Sequence, residues 1–263
     1  MRAISVNGAA LHVVESGPGD GPVLVFSNSL GTDLRIWDAL LPDLPAGLRI
    51  VRYDKRGHGL SDYPAQPWGM GDHVADLAGI LDALKVTGAT VCGLSVGGMI
   101  ALGLAAERPD LVRALILCDT GAKIGAPEMW DARIAAVEEG GIAALADVIL
   151  ERWFARAFRE RDPAFPLWRN MLTRTTLAGY TGTCAAIRDT DLIESTSRLR
   201  LPCLAVCGAD DGATPPDLVR ETAELIPGSR FELIRDAGHL PCIEQPAVLG
   251  HLISAFLKEI CDV

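Results

Sequence analysis

Ser95 is the residue of this sequence whose neighbours most favour covalent chemistry. It lies in "GLSVG" (93–97), a G-x-S-x-G pattern, between the apolar run "ATVCG" and the helix-forming stretch "GMIALGLAAERP". In a strand–turn–helix context this pattern predicts a nucleophile elbow, which lifts the serine hydroxyl to the carboxyl edge of a sheet. The free N–H groups and dipole of the following helix would then favour developing negative charge. The structural alternative is an ordinary tight turn.

A nucleophilic serine needs a general base, and the base needs an acid that orients it. Of the five histidines, His239 in "RDAGHLP" comes just after the last predicted strand and is the candidate base. His58, in the glycine-rich stretch "DKRGHGLSD", is the alternative. Asp211 in "CGADDGATPP" is the candidate acid, and Asp210 and Asp119 are its alternatives.

A tetrahedral intermediate on Ser95 also needs hydrogen-bond donors for its oxyanion. The first predicted donor is the backbone N–H of Val96, directly after the nucleophile. The second should come from the loop "SNSLG" (27–31), which follows the apolar run "VLVF". Counting from the strand end predicts the Ser29 N–H, to within one residue.

Short apolar runs alternate with amphipathic stretches along most of the chain. Because most runs are continuously apolar, they predict parallel strands that are covered on both faces. Two earlier pieces flank "NG" at 7–8 and predict a hairpin. The fold class is therefore α/β, with a mainly parallel sheet flanked by helices. The runs are "VLVF" (23–26), "RIVRYD" (49–54), "ATVCG" (89–93), "ALILCD" (114–119), "CLAVCG" (203–208) and "RFELI" (230–234).

The strand–helix alternation stops between about residues 121 and 198. This segment has no strand-like run, holds three of the five tryptophans and contains long helix-like stretches. Because it lies between two predicted core strands, we interpret it as a helical cap inserted over the sheet edge. The predicted organisation is a core of residues 1–120 and 199–263, with a cap of residues 121–198.

Composition narrows the classes of partner. The net charge is −10 and like charges do not cluster, which argues against nucleic acid and anionic membrane surfaces. No apolar run is long enough to cross a bilayer, and the first residues predict no signal peptide. The seven cysteines form no C-x-x-C pair, and four lie in predicted buried strands. We expect a reduced, cytoplasmic protein that binds no metal.

The sequence resembles the 3-oxoadipate enol-lactonases of the β-ketoadipate pathway, a branch of the α/β-hydrolases. The resemblance implies an α/β-hydrolase fold with a helical cap. It implies hydrolysis of the enol-lactone to 3-oxoadipate without a cofactor, and a catalytic triad of Ser95, Asp211 and His239. The motifs that carry it are "SNSLGTDLRIW" (27–37), "DKRGHGLSD" (54–62), "GLSVGGMIAL" (93–102), "MWDARI" (129–134), "ERWF" (151–154) and "GHLPCIEQP" (238–246).

The implied substrate is a small anionic lactone, and its carboxylate calls for a local cation. Arg133 in "MWDARI" is the candidate cation, and Trp130 is the candidate apolar wall. Arg133 could equally be a solvated residue of a cap helix, in which case Lys123 and Arg152 are the next cations to consider. The sequence does not indicate an oligomeric partner.

Other functions fit the same fold. A carboxylesterase, a carbon–carbon bond hydrolase or a cofactor-free perhydrolase would keep the same triad. Haloalkane dehalogenases and epoxide hydrolases are disfavoured, because they use an aspartate where this chain has Ser95. A non-enzymatic ligand-binding protein on this scaffold would be expected to lack a member of the triad or the donor loop.

Overall fold

The computed structural model describes residues 1–65 and 67–260, so Cys261 and the end of the predicted core segment lie outside the described residues. Within the described residues, eight strands form a single sheet. None of the described helices is long and apolar enough to span a membrane. The strands are β1 (Arg2–Val6), β2 (Ala9–Ser16), β3 (Val23–Ser27), β4 (Arg49–Tyr53), β5 (Ala89–Leu94), β6 (Val112–Cys118), β7 (Cys203–Gly208) and β8 (Arg230–Ile234).

The strand order is β1-β2-β4-β3-β5-β6-β7-β8. The first two pairings, β1 with β2 and β2 with β4, are antiparallel, and every later pairing is parallel. The predicted hairpin turn is present, since Asn7 and Gly8 adopt φ values of 46° and 76°. Strands β5 and β7 are buried at every position, as expected of central strands covered on both faces. The predicted, mainly parallel sheet is confirmed.

Helices connect and cover the strands. In the core, α1 packs on α2, and α2 lies against β5 and β6. The α-helices are α1 (Met70–Ala83), α2 (Val96–Glu107), α3 (Pro127–Trp153), α4 (Arg156–Arg161), α5 (Phe165–Thr173), α6 (Leu177–Arg188), α7 (Ile193–Ser197), α8 (Pro216–Glu224), α9 (Pro241–Glu244) and α10 (Pro246–Ile260).

The segment between β6 and β7 is helical, as its sequence predicts. It consists of α3 to α7, in which α3 packs against α5 and α6. Gly141 interrupts α3 with a φ of 72°, a conformation that costs glycine little and other residues much. Trp130 and Trp153 of α3 are buried, so this segment has apolar contacts of its own. Its separation as a cap domain of residues 121–198 stays a prediction.

The six cysteines among the described residues are free and buried. Burial raises the pKa of the Cys184 and Cys203 thiols to about 12, so little thiolate forms at neutral pH. Thiols of this kind act as small apolar side chains rather than as nucleophiles.

Candidate active site

Ser95 occupies a strained turn between β5 and α2. Its φ is 57°, in the left-handed region that non-glycine residues rarely adopt, and its N–H donates to the Cys118 carbonyl at 3.0 Å. The glycines two residues before and after Ser95 leave no room for a side chain. A Cβ on Gly93 would lie 2.2 Å from the Gly97 carbonyl oxygen, and one on Gly97 would lie 2.1 Å from that of Ser27. The local geometry is therefore that of a nucleophile elbow.

The structure brings His239 and Asp211 into direct contact. His239 Nδ1 lies 2.9 Å from Asp211 Oδ2, and both side chains are buried. The His239 backbone N–H donates to the Trp153 carbonyl at 2.7 Å, which ties the histidine loop to the end of α3. Ser95 and His239 line the same cavity. Asp210, the neighbouring alternative acid, is exposed.

The surroundings of Asp211 keep its carboxylate charged. Its Oδ1 accepts the N–H groups of Ala213 at 2.7 Å and Thr214 at 3.0 Å, while Thr214 Oγ1 lies 2.7 Å from Oδ2. Burial opposes ionisation, but His239 and the Thr214 hydrogen bonds outweigh it, so the pKa of Asp211 lies below its usual range. Sequence reasoning missed Thr214. The only signal was its position three residues after the acid, where side-chain-capped turns are common.

Asp119, the other alternative acid, is buried close to this pair. Its Oδ1 accepts the Gly208 N–H at 2.8 Å, and its Oδ2 has no hydrogen-bond partner among the described residues. Burial and the charge of Asp211 raise the pKa of Asp119 well above its usual value, which favours the neutral acid. Each of Asp119, Asp211 and His239 offers an atom within 4.8 Å of the others, so the residue types could bind a metal ion. A metal ion there would compete with the contact between Asp211 and His239.

His58, the alternative base, supports the loop after β3. Its Nε2 accepts the Gly31 N–H at 3.0 Å, and its Nδ1 lies 3.1 Å from the Arg56 carbonyl oxygen. Burial lowers the pKa of His58 well below its ordinary value, so the ring is neutral and can accept this bond. Of the described residues that line the cavity, His239 is the one histidine.

The loop after β3 meets the cavity at Ser29 and Leu30. Ser29 Oγ lies 3.5 Å from His239 Nε2, a contact that sequence reasoning missed. Asn28 holds the start of the loop, since its Nδ2 donates to the Tyr53 carbonyl and its Oδ1 accepts the Trp37 indole N–H, both at 2.7 Å. Val96, the residue after Ser95, begins α2, where first-turn N–H groups have no intrahelical partner.

Thr214 also lines the cavity, and the rest of the cavity wall is apolar except for two arginines. Arg133 is half-buried, with its guanidinium 5.1 Å from the centre of the Trp130 ring, while Arg152 Nε donates to the Gly212 carbonyl at 2.8 Å. Lys123 pairs with Asp191 at 2.9 Å and is not among the lining residues. The apolar lining residues are Leu30, Ile124, Met129, Trp130, Ile149, Trp153, Ile187 and Ala213.

A serine held at an elbow between a strand and a helix of a mainly parallel sheet, in one cavity with the histidine of a histidine–aspartate pair, is the architecture of α/β hydrolases. A family model described as "alpha/beta hydrolase fold" matches residues 22–246, and the chain belongs to that family.

Within this family, similar proteins confirm the resemblance to enol-lactonases. The chain is 32% identical to 3-oxoadipate enol-lactonase 2 of Acinetobacter baylyi, over 97% of this chain and 96% of that protein. It is 35% identical to 3-oxoadipate enol-lactonase 1 of the same organism, over 96% and 95%. The crystal structure of the enol-lactonase from Burkholderia xenovorans LB400 superposes with a TM-score of 0.94 at 37% identity, covering 97% of this chain and 99% of that one.

Proposed function

We propose that this protein is a serine hydrolase that opens 3-oxoadipate enol-lactone to 3-oxoadipate through an acyl-enzyme. The observation that carries the proposal is a single cavity that contains Ser95 at its elbow, His239 with its Asp211 partner, and two arginines. Enol-lactonases that cover nearly the whole chain supply the substrate class. The role of each residue is part of this proposal.

The chemistry follows from the positions of these groups. Ser95 Oγ adds to the ring ester carbonyl while His239 takes the hydroxyl proton, and Asp211 stabilises the resulting imidazolium. The oxyanion is held by the N–H of Val96 and by a second N–H from the loop after β3, predicted at Ser29. Collapse breaks the bond to the ring oxygen and releases an enolate, which takes up a proton and becomes the ketone. Water activated by His239 then cleaves the acyl-enzyme.

The assignment is tested by measuring turnover of the purified protein on the enol-lactone beside simple neutral esters, a carbon–carbon bond substrate and a perhydrolysis assay. We expect kcat/KM to be highest for the enol-lactone. Faster turnover of another class would replace this function with that one. The absence of turnover on all of them, together with no labelling of Ser95 by a fluorophosphonate, would favour a non-enzymatic binding protein.

Recognition of the substrate carboxylate should depend on Arg133, with Trp130 as the adjoining apolar wall. A guanidinium matches a carboxylate through two parallel hydrogen bonds, and the net charge of −10 offers no long-range attraction. We expect Arg133→Met, which keeps much of the apolar stem, to lower kcat/KM for the enol-lactone by roughly tenfold to a hundredfold. Hydrolysis of a neutral ester should change little.

Arg161→Met is the matched control, because Arg161 is exposed on α4 and does not line the cavity. It should leave both activities unchanged. An equal loss on both substrates in Arg133→Met would mean that Arg133 supports the surrounding helices rather than the ligand. No loss on either substrate would mean that Arg133 does not bind the carboxylate, and Arg152, the other arginine of the cavity, would be the next candidate.

We further propose that catalysis needs no metal ion and no disulfide. Activity should therefore persist in a chelator and in a reductant, because the triad supplies both the nucleophile and the base. The measurement is initial-rate hydrolysis of the enol-lactone with and without EDTA or dithiothreitol. Loss of activity in EDTA that a divalent ion restores would instead assign a metal to Asp119, Asp211 and His239.

The remaining proposals concern the protein's cellular location and its binding partners. The free, buried thiols and the net charge of −10 support a cytoplasmic location and a small-molecule partner, with no nucleic acid or membrane surface involved.

A further inference from the structure

Lys55 is a buried cation that the proposed chemistry does not use. It follows β4, is 1% exposed, and its amine donates to the Ser29 carbonyl in the loop after β3. Among the described residues no carboxylate lies within ion-pair distance of it, and the adjacent Asp54 carboxylate instead accepts the N–H groups of Leu34 and Leu60. Burial lowers the pKa of Lys55 to about 7. A methionine could fill the same space without this desolvation cost.

The amine of Lys55 binds one peptide group of the loop after β3. The Ser29 carbonyl accepts from Lys55 and, at 2.9 Å, from Thr32 Oγ1. In a trans peptide the carbonyl and the following N–H point in opposite directions, so the Leu30 N–H is directed away from Lys55. Leu30 lines the cavity that contains Ser95. The next N–H along the loop, that of Gly31, is already bound to His58.

We propose that Lys55 is a positioning residue, which anchors the Ser29 carbonyl and thereby aims the Leu30 N–H at the oxyanion formed on Ser95. The second oxyanion donor is then Leu30 rather than the Ser29 predicted by counting. The inference rests on the proposed serine mechanism. A charged amine also strengthens the dipole of the peptide it binds, and a neutral amine can still donate, so the anchor persists in both protonation states.

The first test compares binding of a transition-state mimic with binding of substrate. Lys55→Met should lower kcat for 4-nitrophenyl acetate by roughly tenfold to a hundredfold, with KM nearly unchanged. This is less than the roughly hundredfold to thousandfold loss when an oxyanion donor is removed outright, because the Leu30 N–H remains present but is no longer held in place. The inhibition constant of a boronic acid, whose tetrahedral adduct on Ser95 carries an oxyanion, should rise by the same factor. Lys258→Met, at an exposed site, is the matched control and should change none of these.

A second measurement identifies the donor without altering any side chain. Incorporating the α-hydroxy acid analogue of leucine at position 30 replaces the Leu30 N–H by an ester oxygen, and the analogue of serine at position 29 does the same for Ser29. We expect the ester at Leu30 to lower kcat by about a hundredfold or more and the ester at Ser29 to have a much smaller effect.

Unchanged boronic acid affinity in a folded Lys55→Met variant would overturn the positioning role. Loss confined to the ester at Ser29, or no loss from either ester, would overturn the assignment of Leu30. If Lys55→Met does not fold, the ester comparison still decides whether the Leu30 N–H is the donor that Lys55 is proposed to aim, and a negative result there overturns the positioning role as well. A neutral ester is used as the substrate, so the proposed enol-lactone activity can fail while this inference stands. If instead the positioning role of Lys55 fails, fluorophosphonate should still label Ser95, so the proposed serine mechanism is not affected.

Discussion

Ser95→Ala should lower kcat on the enol-lactone by more than about a hundredfold, and on the order of 10⁴-fold if covalent catalysis operates. The substitution removes the atom that attacks the carbonyl, so the histidine–aspartate pair is left with no nucleophile to activate. The variant should fold normally, because the Ser95 side chain makes no hydrogen bond among the described residues. Steady-state kinetics and a thermal unfolding midpoint together provide the measurement.

The informative control is Ser29→Ala. Ser29 Oγ, at 3.5 Å from His239 Nε2, is the rival hydroxyl of the cavity, whereas the oxyanion role proposed for this loop uses backbone N–H groups. Ser29→Ala should therefore lose at most about tenfold and keep its labelling by a fluorophosphonate, while Ser95→Ala loses labelling. If labelling disappears in Ser29→Ala and persists in Ser95→Ala, the nucleophile is Ser29. A Ser95→Ala variant that retains more than about a hundredth of kcat would contradict covalent catalysis.

The parts of the fold that sequence predicts well depend on local rules. Continuous apolar runs predict β3 to β7 as central strands, because a parallel strand must be apolar on both faces. The elbow is predictable for a similar reason, since only glycine fits at positions 93 and 97, where a Cβ would meet a carbonyl oxygen. Asp211 and His239 each follow a strand of one parallel sheet, so both loops reach its carboxyl edge.

Other parts of the site depend on contacts between distant segments. The position of Asp119 beside Asp211 requires the register of β6 against β7, in which Cys118 pairs with Val206. Lys55 is 26 residues from its acceptor on Ser29, and nothing in "DKRGHGLSD" shows that its amine would be buried. Counting along a loop also cannot choose between adjacent N–H groups, because peptide orientation depends on what binds the carbonyls. These are tertiary properties without a local sequence signal.

Asp211→Asn should lower kcat on the enol-lactone by roughly 10³- to 10⁴-fold, since an orienting carboxylate both stabilises the imidazolium and selects the histidine tautomer. Because Asp211 Oδ2 lies 2.9 Å from His239 Nδ1, we expect Asp211 to be the acid whose removal lowers activity most. An asparagine side chain can reverse its amide toward Nδ1 and hold the wrong tautomer, with Nε2 protonated and unable to accept the Ser95 proton. The thermal unfolding midpoint should change little despite the large loss in kcat, because Asn keeps the size of the side chain.

Two isosteric controls isolate this effect. Asp210 is exposed, so Asp210→Asn should leave kcat nearly unchanged. Asp119 is buried, but its raised pKa favours the neutral acid, so Asp119→Asn exchanges one uncharged group for another while keeping an oxygen for the Gly208 N–H. We expect a loss below about tenfold there, because no charge near His239 is removed. If Asp119→Asn proves as damaging as Asp211→Asn, Asp119 is ionised and the two carboxylates act on His239 together. If Asp211→Asn retains activity while Asp119→Asn loses it, the acid of the triad is not Asp211, and Asp119 takes its place.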